Sequence, residues 1–150
     1  GLLDAVRTAV AENGLEPTCL ALELTESAIL EDAERARAVL CDLSAMGISI
    51  FLDDFGTGYS SLARLQNLPI DAIKIDRTFI QSISPNGENL EILRAMTALG
   101  KELRLNVIAE GIERGFHLDR LAEIGCNLGQ GFFFSHPVPA GTIEEMYLPR

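Results

Sequence analysis

Ile50–Leu62 reads IFLDDFGTGYSSL. A short apolar run stops at two adjacent aspartates, Asp53 and Asp54, and Gly56 and Gly58 follow at once. A brief apolar run bounded by glycines is the pattern of a buried strand. The aspartates do not fit a buried strand, because neighbouring carboxylates repel and neither is a common strand residue. The stretch therefore reads as a strand that ends in a polar loop and feeds a helix.

Four other runs repeat the pattern. They are Cys19–Leu24 (CLALEL), Ala72–Ile75 (AIKI), Asn106–Ala109 (NVIA) and Asn127–Gly131 (NLGQG), beside Ile48–Asp53 (ISIFLD) itself. The last rests mostly on Phe132, Phe133 and Phe134 after it. Helical segments fit between the runs. Leu2–Glu12 opens the series and Gly14 stops it. Asp32–Met46 sets Ala36, Val39, Leu40, Leu43 and Met46 on one face, turns Arg35, Arg37 and Asp42 outward, and meets Gly47 as its stop. Ser60 or Ser61 caps a short helix that ends before Pro69. Asn86–Leu103 carries Leu90, Leu93, Leu99 and Leu103, with Lys101 and Arg104 near its negative C-terminal dipole. His117–Ile124 and a short helix after Pro139 complete the set. Strands alternating with helices predict an α/β fold, a parallel sheet covered by helices, either doubly wound or a (β/α)₈ barrel.

The 150 residues suffice for a domain with a sizeable core, and 47% hydrophobic with 23% charged residues is ordinary globular composition. No run of about 18 apolar residues predicts a transmembrane helix. The first residues, GLLDAVRTAV, do not read as a signal peptide but as a helix already under way. The net charge of −10 argues against binding a DNA or RNA polymer, though not against one nucleotide held through metal ions. Cys19, Cys41 and Cys126 lack CxxC spacing and sit in apolar contexts, so buried free thiols of a reducing cytoplasm are expected.

Polar residues gather where the strands end. Glu23 ends the first, with Glu26 just beyond; Asp53 and Asp54 close the second; Lys74 and Asp76 end the third. Glu110 follows the fourth, with Glu113 three residues later, and Gln130 lies in the fifth. In parallel α/β folds these ends share one face, where active sites form. A single strand-end acid is usually a cap or turn residue, and a lone strand-end lysine usually snorkels. Convergence from five strands needs another explanation. Glu23, Asp53, Asp54 and Glu110 are hard oxygen ligands, suited to Mg²⁺ or Mn²⁺. Cations would cancel the repulsion of the aspartates. Carboxylates, divalent metal and a lysine are what phosphodiester hydrolysis needs. GTGYSS is not a P-loop, because no GK[ST] follows, and DFG here has no kinase companion motifs. His117 and His136 lack ligand spacing and read as surface or supporting residues. Phe132–Phe134 reads as barrel-bottom or core packing before a base-stacking platform, with Phe134 or its neighbours walling a nucleotide site as the alternative.

With these motifs together, the sequence closely resembles the EAL domain family, bacterial phosphodiesterases that hydrolyse cyclic di-GMP. The matching segments are ELTES (Glu23–Ser27), DDFGTGYSSL (Asp53–Leu62), KIDRTFI (Lys74–Ile80), AEGIE (Ala109–Glu113) and QGFFFSHPV (Gln130–Val138). The resemblance implies a (β/α)₈ barrel and a two-metal Mg²⁺ or Mn²⁺ site that opens cyclic di-GMP to linear pGpG. It implies Glu23 and Asp53 as ligands of the first metal and Asp54 at the second metal or its water. It implies Lys74 at the water or substrate phosphate, and Glu110 as leading general-base candidate and possible second-metal ligand. Gln130 would position water or substrate, Glu26 would hold the loop after Asp54, and Glu113 would support the site.

The name-giving Glu-Ala-Leu tripeptide and the family's next-strand asparagine do not occur in these residues. A barrel of this type takes about 250 residues. The expectation is therefore that the chain, 1–150, is the C-terminal part of one EAL domain, its five strands the last five of eight, and inactive alone. The resemblance further implies upstream sensory or GGDEF domains, a homodimer by analogy, and a cytoplasmic location. The alternative reading is an inactive EAL module that senses cyclic di-GMP or contacts proteins; intact ELTES, DDFG, Lys74 and Glu110 argue against it.

Overall fold

A computed structural model describes residues 1–25, 28, 33–58 and 65–148. Five parallel strands form one sheet in the order of the sequence: β1 (Ala21–Thr25), β2 (Ser49–Phe55), β3 (Ala72–Ile75), β4 (Asn106–Glu110) and β5 (Leu128–Gln130). All five predicted strands are present, within two residues at each end. Consecutive parallel order with helices between is the arrangement of a partial (β/α) barrel.

Register explains which side chains go where. Side chains alternate across a strand, so paired residues share a face. The pairs Leu22↔Ile50, Leu24↔Leu52, Leu52↔Ile73, Ile73↔Val107 and Ile75↔Ala109 put one apolar row on the face that packs against helices. Ile50, Leu52, Ile73, Ile75 and Ala109 are fully buried there. Each of the Ile and Leu side chains contributes about 1.5–3 kcal/mol by leaving water. The opposite row holds Glu23, Phe51, Asp53, Lys74, Ile108, Glu110 and Gln130. Hydrophobic packing of one row therefore fixes the polar row on the other.

The helix Ala33–Ala45 buries Leu40 and Leu43, as its spacing predicts. The predicted helix Asn86–Leu103 begins later, at Leu90, and buries Leu90, Leu93 and Thr97. Its expected first turn is a hydrogen-bonded loop instead: Glu88 N–H donates to Ser84 Oγ (3.1 Å) and Asn89 Nδ2 to the Ser82 carbonyl (2.9 Å). The helix predicted from His117 starts at Gly115 and runs to Glu123. The one after Pro139 spans Ala140–Tyr147. A short helix, Arg77–Gln81, was not predicted. Its signal is Asp76, whose carboxylate accepts the Thr78 N–H at 2.9 Å as an N-cap. The helix expected to be capped by Ser60 or Ser61 lies largely outside the described residues.

Two expectations about burial are corrected. Cys126 is buried, but Cys19 and Cys41 are exposed. Cys19 ends a 3₁₀ turn before β1, and Cys41 points away from the core-facing side of Ala33–Ala45. An apolar neighbourhood in sequence does not set which way a helical side chain faces. Phe132, Phe133 and Phe134 are 55%, 46% and 54% exposed rather than core residues. β5 ends at Gln130, and the rings follow it into a turn at the edge of the sheet. No helix among the described residues is long and apolar enough to cross a membrane.

Candidate active site

The polar row meets at Lys74. Its Nζ lies 2.7 Å from Glu23 Oε1, 2.6 Å from Glu110 Oε1 and 3.5 Å from Asp53 Oδ1. Four residues from β1, β2, β3 and β4 thus join at the C-terminal ends of parallel strands. Lys74 is only 4% exposed. Burial alone would lower its pKa, but hydrogen bonds to Glu110 and Glu23 and the charges of Glu110 and Asp53 outweigh that, and the net shift is upward. The amine is therefore held as an ammonium, and snorkelling is ruled out by its burial and by its three carboxylate partners.

Asp53 and Asp54 sit in a β-bulge. Leu52 pairs with Ile73 and Phe55 with Ile75, so two residues of β2 face the single Lys74 of β3. The extra residue drives Asp54 to a φ of 55°, an uncommon left-handed conformation that Asp tolerates better than most residues. The turn is held locally. Asp54 N–H donates to Asp53 Oδ1 (3.0 Å), and the Asp54 carbonyl accepts from Thr57 N–H (3.2 Å) and Thr57 Oγ (2.8 Å). The paired aspartates are thus split: Asp53 faces Lys74, while the bulge re-aims Asp54.

The loop after β4 is clamped from three sides. Gln81 Nε2 donates to the Gly111 carbonyl (2.6 Å), Ile112 N–H to the Gln130 carbonyl (3.1 Å), and Phe133 N–H to the Ile112 carbonyl (2.9 Å). Glu113 N–H reaches His117 Nδ1 at 3.5 Å. Two glycines make this packing possible. A Cβ on Gly131 would lie 2.1 Å from the Ile112 carbonyl oxygen. One on Gly111, at φ +72°, would lie 2.5 Å from Arg77 Cβ. A cavity of about 190 Å³ results, lined by Arg77, Glu110, Gly111, Glu113, Gln130, Gly131 and Phe132. A larger apolar hollow of about 610 Å³ lies beside it, walled by Phe132, Phe134 and Ile143 among others.

Of the residues singled out from sequence, Glu23, Asp53, Lys74 and Glu110 are brought into direct contact. Glu110, Glu113 and Gln130 share the smaller cavity. Asp54 adjoins the cluster through its backbone, and Glu26 lies outside the described residues. Among the described residues, no group of three or more His, Cys, Asp or Glu is placed to hold a metal ion. The ammonium of Lys74 occupies the point on which the acids converge. Sequence reasoning missed Asp71, whose carboxylate accepts the Ile50 N–H at 2.8 Å and ties β2 to the turn before β3. It also missed Arg77 and Gln81, which brace the loop after Glu110. Their signal was the Asp76 cap, which starts a helix directly beneath that loop.

Residues 1–137 match the family model described as EAL domain.

The chain belongs to the EAL domain family.

Among curated relatives, the bifunctional diguanylate cyclase/cyclic di-GMP phosphodiesterase MucR of Pseudomonas aeruginosa is 46% identical over 140 residues, 93% of this chain and 20% of that protein. The chain thus spans about a fifth of that relative's length. A solved structure of the PaMucR phosphodiesterase in complex with c-di-GMP superposes with a TM-score of 0.90 at 45% identity. The match covers 95% of this chain and 58% of that one. The manganese/cy-diGMP complex of Klebsiella pneumoniae BlrP1 gives a TM-score of 0.77 at 33% identity, covering 91% and 34%. The EAL assignment accords with the partial barrel and with the polar row at its strand ends.

Proposed function

We propose that this chain is the C-terminal part of an EAL domain that hydrolyses cyclic di-GMP to linear pGpG with Mg²⁺ or Mn²⁺. The observation that carries the reading is the convergence of Glu23, Asp53 and Glu110 on the buried ammonium of Lys74. A purely structural ion pair needs one carboxylate; three, with exposed surface left over, form a site for further cationic or phosphate chemistry. The MucR and BlrP1 complexes with cyclic di-GMP support the substrate, and the manganese in the latter supports the metal.

The donor set fits a hard divalent cation in its chemistry. The side chains of Glu23 and Asp53 remain 47% and 24% exposed, so each has oxygen surface not spent on Lys74. Glu23, Asp53 and Asp54 would hold the metal, with further ligands from residues beyond those described. Bound there, it supplies Lewis-acid neutralisation of a phosphoryl oxygen and acidifies a neighbouring water. Lys74 fixes the Glu110 carboxylate by its 2.6 Å contact and places positive charge where phosphate charge develops. Glu110 takes the proton of the attacking water. Gln130, in the same cavity, orients water or substrate with its amide. Glu113 braces the loop from Glu110, and Glu26 would hold the loop after Asp54.

The test is turnover of cyclic di-GMP by the complete domain with Mg²⁺ or Mn²⁺, followed as pGpG. Glu110→Ala should abolish turnover while substrate binding, measured by calorimetry, is largely kept. Retained turnover removes Glu110 from the base role. A complete wild-type domain that binds but never cleaves would instead favour a cyclic di-GMP receptor. The 150 residues alone are expected to yield no pGpG, and product from them would refute the need for partner strands.

A further inference from the structure

We infer that His117 is a positioning residue, whose neutral imidazole anchors the backbone at Glu113 and thereby holds Glu110 against Lys74. The inference rests on the reading above for its effect on turnover, but not for its effect on the loop.

His117 is 1% exposed, among the most buried polar side chains described. A polar group so placed must be hydrogen-bonded or it costs stability. Its Nδ1 faces the Glu113 N–H at 3.5 Å, and its ring packs edge-on against Phe116 with centroids 4.5 Å apart. An accepting Nδ1 is unprotonated, so the neutral ring carries its proton on Nε2. The helix Gly115–Glu123 has no side-chain cap from its N-cap residue, Arg114. His117 therefore reaches back four residues, past the N-cap Arg114, to satisfy a loop N–H that lies outside the helix.

That donor belongs to a short segment with one catalytic candidate at its head. Gly111 is held by Gln81 at the end of the helix Arg77–Gln81, and Ile112 by Gln130 of β5 and Phe133 in the turn after it. Glu113 is held from the helix side, by His117. Release of this contact leaves the segment after Glu110 pinned at its start and, at its end, tied to the helix by the His117 N–H to Arg114 carbonyl bond (3.0 Å) without the side-chain anchor. Glu110 sits 2.6 Å from Lys74, and a shift of well under an ångström there weakens the alignment of a general base. The Glu113 side chain, in the same cavity, moves with its own backbone.

The experiment compares the complete domain with His117→Gln, a neutral side chain that keeps an acceptor, and His117→Leu, which fills similar volume without one. Readouts are amide hydrogen exchange at Glu113, the melting temperature, and kcat and KM for cyclic di-GMP. His117→Leu is expected to exchange Glu113 at least about fivefold faster, as loss of one net hydrogen bond implies. It is expected to lose kcat by a similar factor or more with KM little changed. His117→Gln should restore both. Wild-type-like exchange at Glu113 in His117→Leu overturns the inference. So does a folded His117→Gln, with near-normal melting, that exchanges as fast as the Leu variant. Should His117→Leu not fold, His117→Gln decides, since a folded Gln variant must match wild-type exchange and kcat. A wild-type domain that cleaves nothing refutes the hydrolase reading alone, because exchange at Glu113 still tests the anchor.

Discussion

Replacing Lys74 by Met removes the one positive charge at the centre of the acidic row and keeps an unbranched side chain of similar length. Lys74 is 4% exposed and contacts Glu110 and Glu23 within 2.7 Å and Asp53 at 3.5 Å. Breaking a fully buried ion pair by deleting one partner costs about 3–5 kcal/mol, because the remaining charge stays buried. Exposed pairs are worth about 0–1 kcal/mol. The carboxylates here lie between those limits, with side-chain exposures of 47% for Glu23, 24% for Asp53 and 20% for Glu110. Water takes up part of their charge, so Lys74→Met is expected to cost about 2–3 kcal/mol near neutral pH. That is a large share of a typical stability of about 5–15 kcal/mol. Urea unfolding of the complete domain measures it. A variant within about 0.5 kcal/mol of wild type at neutral pH would refute the reasoning; that bound is the usual spread of surface substitutions.

Three other perturbations probe separate parts of the structure. Gly131→Ala sets a methyl group 2.1 Å from the Ile112 carbonyl oxygen, backbone that cannot swing aside, and should lower stability by about 1–3 kcal/mol or more in thermal unfolding. Burial, and after it the charge of Arg114, hold the His117 pKa below its usual 6.5, with Glu113 opposing. The unfolded chain therefore binds that proton more readily, and stability should fall as pH drops below about 6.5. Urea titrations across that range should show a drop in wild type that His117→Gln lacks. Thiol labelling of the native protein should modify exposed Cys19 and Cys41 promptly. Cys126 should react only after unfolding, since burial both shields its thiol and pushes its pKa up.

Much of the site was legible as composition at strand ends. Glu23, Asp53, Lys74 and Glu110 could be placed together because the C-terminal ends of parallel strands lie on one side of such a fold. What could not be read was their degree of contact. Nor could the placing of Asp54 be read, because it depends on a bulge between Leu52 and Phe55, and a bulge leaves no mark in an apolar run. The helix Arg77–Gln81 was missed because it is too short to show helical periodicity, although its Asp76 cap is visible. The exposure of Phe132–Phe134 is not legible in the sequence, because aromatic residues favour burial and only the turn after β5 leads them away from the core.

From residues alone came the element types, their order and the chemistry of the polar row, since these follow from periodicity and side-chain type. Tertiary structure decided the rest. The bulge took Asp54 out of the regular ladder, while Asp53 kept its place in the polar row facing Lys74. Glycines at 111 and 131 let the loop after Glu110 approach neighbouring atoms too closely for any Cβ. His117 became a loop anchor only when folding brought its ring out of water and against the Glu113 amide. Each of these is a through-space fact, set by how closely packed chains meet, and one-dimensional patterning carries no record of it.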